Sequence, residues 1–398
     1  MTHGRSCPGS PEAAAPGGNS ARAEEYRKFS APAAHPGRSI VVPMGETARD
    51  RQVTALIARC YAGLDAAALR GEVLRRLRRV MPVDAAFFAT VDPMTVLFTS
   101  AVAEDPLAAA RPLFMDNEFG REDVNKFAAL AEAADPVSSL ERATRGDWRA
   151  SPRYREIMNP LGLGDELRAA LIARKRCWGV MCLHREDASH GFDAWEIDLV
   201  RHVSPHVAEG LRRAVSVAPA ATVRADSAAP GIIVLDADLA VVSISPEAQQ
   251  WLAEIDDVEG PGPADLPMAI YATAAGLVRL QSDGAAPPPA TVRLRSRSGR
   301  WLSLHASALH GPAEPQIGVV IEPTPASQIS SMLLSAHGLT EAQARVAALV
   351  LRGHSTRQIV RELHISANTV QEHLTAAFDK FGVRSRRELV AAVLSGHR

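Results

Sequence analysis

The sequence predicts a multidomain chain in which two α/β regions precede a small all-α unit of four helices. Three observations carry this. At 398 residues the chain is too long for one core, since domains run to roughly 100–200 residues. Strand-like and helix-like apolar patterns alternate through 46–216 and again through 231–325. From 335 onward the periodicity is helical only, and three helix-start signatures punctuate it.

Composition narrows the class. Apolar residues make up 46% of the chain and charged residues 22%, which are ordinary globular values. No apolar run approaches the ~18 residues of a membrane helix. The opening MTHGRSCPGSPEAAAPGG lacks the apolar stretch of a signal peptide. Four cysteines in a chain this long make no disulfide framework. A reduced, cytoplasmic protein away from membranes is expected. Arginine supplies 40 of the 44 basic residues, a bias we assign to genome composition. The net charge of −1 suggests no bulk attraction to nucleic acid, but its distribution does. Residues 335–398 hold nine Lys/Arg against five Asp/Glu, a net of +4, on a mildly acidic body.

In residues 1–45, 25 positions are Ala, Pro, Gly or Ser, without periodicity, so a disordered segment is expected. Met44 offers an alternative start. Residues 46–216 open with two helical patterns, Val53, Leu56, Ile57, Cys60 and then Leu69, Val73, Leu74, Leu77, Val80. Strands are expected at Ala85–Val91, closed by Asp92-Pro93, and at Thr95–Ala101. A helical, irregular stretch spans about 104–165. Two further strands, Glu166–Ala173 and Cys177–His184, flank the turn Arg174-Lys175-Arg176. Ile197, Val200, Val203, Val207 and Leu211 then mark a closing helix.

Residues 216–230 read as a linker. In 231–325, strands Ile232–Leu235 and Leu239–Ile244 form a hairpin, followed by a helix at Pro246–Ile255 and another near 267–275. Strands Thr291–Arg297, Trp301–Leu309 and Ile317–Ile321 complete the region. A second linker is expected at 322–331, so that the four-helix unit should fold alone.

Within 335–398, Thr340 with Gln343, Ser355 with Gln358 and Ser385 with Glu388 fit the capping box. There a hydroxyl accepts from a free backbone N–H and the later side chain reaches back. The segment STRQIVRELHISANTVQEHLTAAFDKF, Ser355 to Phe381, carries the function. Its first helix ends near Leu363. His364-Ile365-Ser366 makes a tight joint in which Ser366 caps the next helix. That helix places Val370, Leu374, Ala377, Phe378 and Phe381 on one face, and Asn368, Gln371, Glu372, Thr375 and Asp379 on the other. Two helices so joined form a helix-turn-helix, whose second helix has the diameter to enter the major groove.

Residues 339–394 resemble the LuxR-type DNA-binding domain of bacterial transcription regulators. The matching pieces are Leu339-Thr340, Ile359, Glu362-Leu363, Ile365-Ser366, Thr369-Val370, His373, Lys380, Gly382-Val383, Arg386 and Glu388-Leu389-Val390. Glu341, Val360 and Phe381 stand where proline, alanine and leucine are usual. The resemblance implies base reading by Gln371, Glu372 and Thr375, and backbone contacts by Thr369, His373 and Lys380. A helical interaction module that never meets DNA is the alternative. Residues 46–216 resemble a GAF-type sensor, and 231–325 resemble a PAS domain, both in the order of their elements and without a catalytic signature.

Other candidates have plainer readings. Cys177, Cys182, His184 and His190 invite a metal, but strand alternation puts Trp178, Val180, Cys182 and His184 on one face and Cys177 on the other. Two converging ligands fall short of a closed zinc site, so no metal or cofactor is expected. His202 and His206 have clamp spacing, yet Pro205 lies between them and a third ligand is lacking. Trp178, Trp251 and Trp301 fit core or a ligand pocket. No phosphate-binding loop and no nucleophile elbow are present, so neither an ATPase switch nor catalytic residues are expected. The stripes Leu199, Val203, Val207, Leu211 and Leu389, Val390, Val393, Leu394 fit either core or pairing with a twin.

These readings converge on a sequence-specific transcriptional regulator, not an enzyme, that binds double-stranded promoter DNA as a homodimer. The sensor-like domains would modulate that binding, with a small-molecule effector and RNA polymerase as further candidate partners. A protein-interaction regulator and an enzyme with a DNA-binding tail are the alternatives.

Overall fold

The computed structural model describes residues 46–186, 191–217, 229–255, 266–282, 290–310 and 315–394. The expected disordered segment 1–45, His190 and most of the 216–230 linker lie outside the described residues.

Helices α1 (Glu46–Cys60) and α2 (Ala66–Leu77) come first. Asp65 caps α2 by accepting from the Ala68 N–H at 2.8 Å. Strands β1 (Ala85–Val91) and β2 (Phe98–Ala103) follow, then the short helices α3 (Arg111–Met115) and α4 (Phe127–Glu132). β3 (Val137–Ser139), α5 (Leu140–Thr144), β4 (Asp165–Ala173), β5 (Arg176–Arg185) and α6 (Ala194–Val217) complete the first α/β unit. Its strands form one antiparallel sheet in the order β2-β1-β5-β4-β3. β2 starts three residues later than its sequence pattern suggests. Asp92 accepts from the Met94 N–H at 2.9 Å, and Val96 takes a left-handed φ of 58°, so 92–97 is a turn. β3 was too short to show periodicity. The β4–β5 turn is two residues long rather than three, with Arg174 and Lys175 both left-handed, as a hairpin of that length requires.

The two faces of this sheet differ. Phe88, Leu167, Leu171, Met181 and Leu183 pack beneath α1, α2 and α6. Leu199, Val203, Val207 and Leu211 of α6 are buried in that same core, so this stripe packs on its own sheet and is not free to pair with a twin. The other face carries Phe87, Cys182, His184, Glu166 and Arg168. Strict alternation misplaces Cys177. A bulge leaves Trp178 without a partner between the pairs Leu171–Gly179 and Ile172–Cys177. It turns Trp178 into the helix-side core and brings Cys177 onto the face of Cys182.

The second unit comprises β6 (Gly231–Leu235), β7 (Val241–Ile244), α7 (Pro246–Glu254), α8 (Met268–Ser282), β8 (Ala290–Arg295), β9 (Trp301–Leu309) and β10 (Gln316–Pro323). Its sheet order, β7-β6-β10-β9-β8, repeats the permutation of the first. β7 begins at Val241 rather than Leu239, because Leu239 is left-handed and Asp236 accepts from the N–H groups of Asp238 and Ala240. Ile233, Leu235, Leu302, Leu304, Val319 and Ile321 pack on Trp251 of α7 and on α8. Trp178 and Trp251 are core residues whose indole N–H groups donate to the Ala173 and Ala229 carbonyls, each at 3.1 Å.

The two α/β units share one apolar cluster that runs from Ala89, Leu97 and Phe98 to Ala272 and Ala275 of α8. α8 approaches so closely that a Cβ on Gly276 would lie 2.8 Å from Leu97. Asp92, in the β1–β2 turn, accepts from the backbone N–H of Arg293 on β8 at 2.9 Å and from its guanidinium at 3.0 Å.

The segment 322–331 is not a linker. β10 runs to Pro323, and α9 (Ala326–Ala336) begins three residues later. Leu333 and Leu334 of α9 are buried against the helices that follow, and half-buried Trp301 of β9 joins them. α10 (Glu341–Leu351), α11 (Thr356–Leu363), α12 (Ala367–Phe381) and α13 (Arg386–Leu394) form the C-terminal unit. Leu389 and Val393 of the second stripe are buried inside it, and Val390 is half-buried. Among the described residues, no helix is long and apolar enough to cross a membrane.

Candidate nucleic-acid interface

The C-terminal helices start where their side chains satisfy free backbone donors. Thr340 accepts from the Gln343 N–H while Gln343 accepts from the Thr340 N–H, and Ser355 and Gln358 do the same. At α13, Ser385 accepts from the Glu388 N–H at 3.2 Å, but the Glu388 carboxylate reaches one residue further back, to the Arg384 N–H at 2.8 Å. His364 closes α11 in the left-handed region, φ 53°, and Ser366 caps α12. That tight reversal sets the angle between the two helices. At the other end of α11, Arg386 of α13 ties down its start, donating to the His354 carbonyl and the Thr356 hydroxyl.

α12 buries Val370, Leu374 and Ala377 against α10 and α11, with Phe378 half-buried beside them. Its opposite face is exposed along Asn368, Gln371, Glu372, Thr375 and Asp379. Gln371 and Thr375 are stacked one turn apart, and the Thr375 hydroxyl donates to the Gln371 carbonyl at 3.0 Å. The Asn368 amide donates to the Glu372 carboxylate at 2.8 Å, an i,i+4 pair that holds the acid in place. Thr369 is half-buried at the helix start, its hydroxyl 2.9 Å from that of Ser366. His373 is half-buried on the flank. Thus Gln371, Glu372 and Thr375 share one exposed face, with Thr369 and His373 beside it.

Lys380 stands apart at the far end of the helix. Its ammonium donates to the Gly338 carbonyl at 2.8 Å and to Gln343 at 2.7 Å, which ties α12 to the α9–α10 connection. Burial and the nearby Arg174 guanidinium lower its pKa. Two of its three N–H bonds are therefore engaged, and one is left for a phosphate. Next to it, His337 stacks on Phe381 with ring centroids 3.9 Å apart. Arg357 and Arg361, one turn apart on α11, are exposed cations that motif matching passed over. Their i,i+4 spacing was the available signal.

Among the described residues, the upstream histidines and cysteines make no comparable site. The His206 ring accepts or donates at 2.8 Å to the Tyr61 hydroxyl on the surface and meets His202 edge to face. Glu166, Cys182 and His184 approach one another, but the Glu166 carboxylate is paired with Arg153 at 2.7 Å and Arg168 at 2.9 Å. Burial alone would raise that carboxyl, and the two guanidiniums pull it well below the usual range. Two cations so close oppose a metal ion there. Burial pushes the Cys177 thiol up to about 12.

Two helices joined by a short capped turn, the second apolar inward and polar outward, define a helix-turn-helix DNA-binding regulator. The family described as "Bacterial regulatory proteins, luxR family" matches residues 337–393, and the GAF domain matches 65–211. The spore germination protein GerE of Bacillus subtilis is 36% identical over 56 residues, 14% of this chain and 76% of that protein. The chain belongs to the luxR family of bacterial regulatory proteins and carries a GAF sensor domain ahead of its DNA-binding helices.

Among solved structures, a Vibrio cholera VqmA–ligand–DNA complex is 17% identical, covering 42% of this chain and 82% of that one, with a TM-score of 0.21. The E. coli DhaR(N)–DhaL complex is 10% identical over 71% and 92%, with a TM-score of 0.22. Neither score bears on the fold or function of this chain.

Proposed function

We propose that this regulator binds promoter DNA in the cytoplasm as a homodimer, without catalytic activity, and that its upstream units set how well it binds. The observation that carries this is the exposed polar face of α12, held rigidly from behind by Val370, Leu374 and Ala377. On this reading Gln371, Glu372 and Thr375 meet base edges, while Thr369, His373 and Lys380 meet the backbone. Gln offers the paired donor and acceptor that suit adenine.

The sensory part comprises the GAF-like region 46–216 and a PAS-like region 231–325. The DNA-binding unit 335–398 extends back to Ala326, because Leu333 and Leu334 belong to its core. Two copies would suit paired half-sites, on a surface other than the buried α6 stripe and the buried Leu389 and Val393 of α13. An effector would act by favouring one arrangement of these units over another, and the bound regulator would recruit or exclude RNA polymerase. Selection of the full chain against a random DNA pool tests the reading. One enriched, two-part sequence is expected, and a pool that stays random after repeated rounds would overturn it.

A further inference from the structure

The first α/β unit meets the C-terminal unit beside the far end of α12. Ala336, the last residue of α9, is buried in the core that α1, α2 and α6 form on the first sheet. Two positions on, Gly338 is approached by a cation from each unit. The Lys380 ammonium donates to its carbonyl at 2.8 Å. The Arg174 guanidinium, from the β4–β5 turn, comes so near that a Cβ on Gly338 would lie 3.6 Å from its Cζ. After burial, the Arg174 charge is the further cause of the lowered Lys380 pKa.

These like charges gather without a counter-charge. Elsewhere the chain pairs its arginines with acids: Arg153 and Arg168 with Glu166, Arg185 with Glu196, and Arg212 with Glu209. Among the described residues, no carboxylate pairs with Arg174, Lys175, Arg176 or Lys380. Arg174 and Lys175 are exposed, as is Lys380.

The turn itself gives no reason for its residues. Arg174 and Lys175 both hold left-handed φ, 53° and 61°. That conformation costs any residue with a Cβ, and a two-residue hairpin of this kind is best served by Asn-Gly. Two long cations are kept there against the preference of the backbone, and backbone strain collects at functional positions.

We propose that the Arg174-Lys175 turn of the GAF domain is a second DNA-contacting element, which binds the phosphate backbone beside the phosphate met by Lys380. A run of phosphates supplies the missing negative charge, and a guanidinium suits it well. The contact carries no sequence information and lengthens the footprint of α12 onto flanking DNA. It also gives the sensor domain a direct hold on affinity, since moving this turn away from α12 removes two phosphate contacts. The proposal rests on the DNA-binding function given above.

The test uses the full chain on its selected DNA and on scrambled DNA, across a salt series. Arg174→Asn with Lys175→Gly suits the turn, so the double variant should melt at or above the temperature of its parent. Its affinity should nonetheless fall on both DNAs alike, with a log–log salt slope shallower by about two per subunit. The gap from the parent should widen by about eightfold per lost contact for each tenfold fall in salt. Arg174→Gln alone should make the slope shallower by about one, and covers the case in which the double variant fails to fold. Arg79→Asn removes an exposed cation at the other end of the sheet, where Ala85 pairs with His184, and should leave the slope as it was. An unchanged slope in turn variants that still bind the selected sequence would overturn this contact alone. So would an equal effect of Arg79→Asn, or tighter binding by the turn variants, which would make the turn a brake on α12. A parent chain that selects no sequence would overturn the contact together with the function on which it rests.

Discussion

Replacing Asp92 tests whether the two α/β units form one cooperative body. Its carboxylate is fully buried and accepts three hydrogen bonds, from the Met94 N–H, the Arg293 N–H and the Arg293 guanidinium. Asp92→Ala leaves two partly buried backbone donors without their partner, each costing at most about 1–3 kcal/mol. The guanidinium is partly exposed and can rehydrate, so its share is smaller. Breaking a buried ion pair from one side costs about 3–5 kcal/mol, which agrees with that sum. For a unit of this size each kcal/mol lowers the melting temperature by roughly 2–4 °C, so a fall of roughly 6–20 °C is expected. Arg293→Ala should cost less, because Asp92 keeps its backbone donors. Urea melts followed by tryptophan fluorescence and circular dichroism would show one coincident transition, displaced in the variant. A change below about 1 kcal/mol, or separate transitions in the unaltered protein, would refute the shared-core argument.

Lys380→Ala should weaken binding to specific and scrambled DNA alike and make the log–log salt slope shallower by about one per subunit, as anisotropy titrations would report. It should also lower the melting temperature, since the ammonium holds Gly338 and Gln343. Stability should fall as the pH drops from 6.5 towards 4, because the unfolded chain takes up a proton on His184 before the folded one does. The full loss is about 3 kcal/mol, and His184→Phe should flatten that limb of a denaturation-versus-pH curve. A fragment of 326–398 should melt cooperatively by circular dichroism. One starting at 337, without Leu333 and Leu334, should be less stable by at least about 2–5 kcal/mol, the cost of a single Leu→Ala in a core.

How legible these features were depended on whether their cause was local. The helix starts at Thr340, Ser355 and Ser366 were readable because a hydroxyl and the next turn's N–H are neighbours in sequence. The same holds for α12, whose apolar spacing matches its burial, and for β1 and β9, which run through their expected residues. What depended on distant partners was hidden. Asp92 reads as a turn residue, and its role as a clasp on Arg293 comes from a strand about two hundred positions on. The Trp178 bulge cannot be seen in β5 alone, because it is defined by the spacing of β4. Residues 322–331 read as a linker, and only the docking of α9 on Leu389 and Val393 makes that stretch part of a core. Lys380 was recognisable as a cation at a helix end, but not as one already engaged by Gly338.

The central claim, that α12 reads DNA sequence, is tested most directly by Gln371→Ala on the sequence that the unaltered chain selects. Gln371 is exposed and packs against no core residue, so the variant should fold and melt like its parent. Its affinity for the selected site should fall by about 1–3 kcal/mol, roughly 5- to 150-fold, with preference relaxed at one base position and scrambled DNA bound as before. Undiminished affinity for that site, or an equal loss on scrambled DNA, would contradict the account.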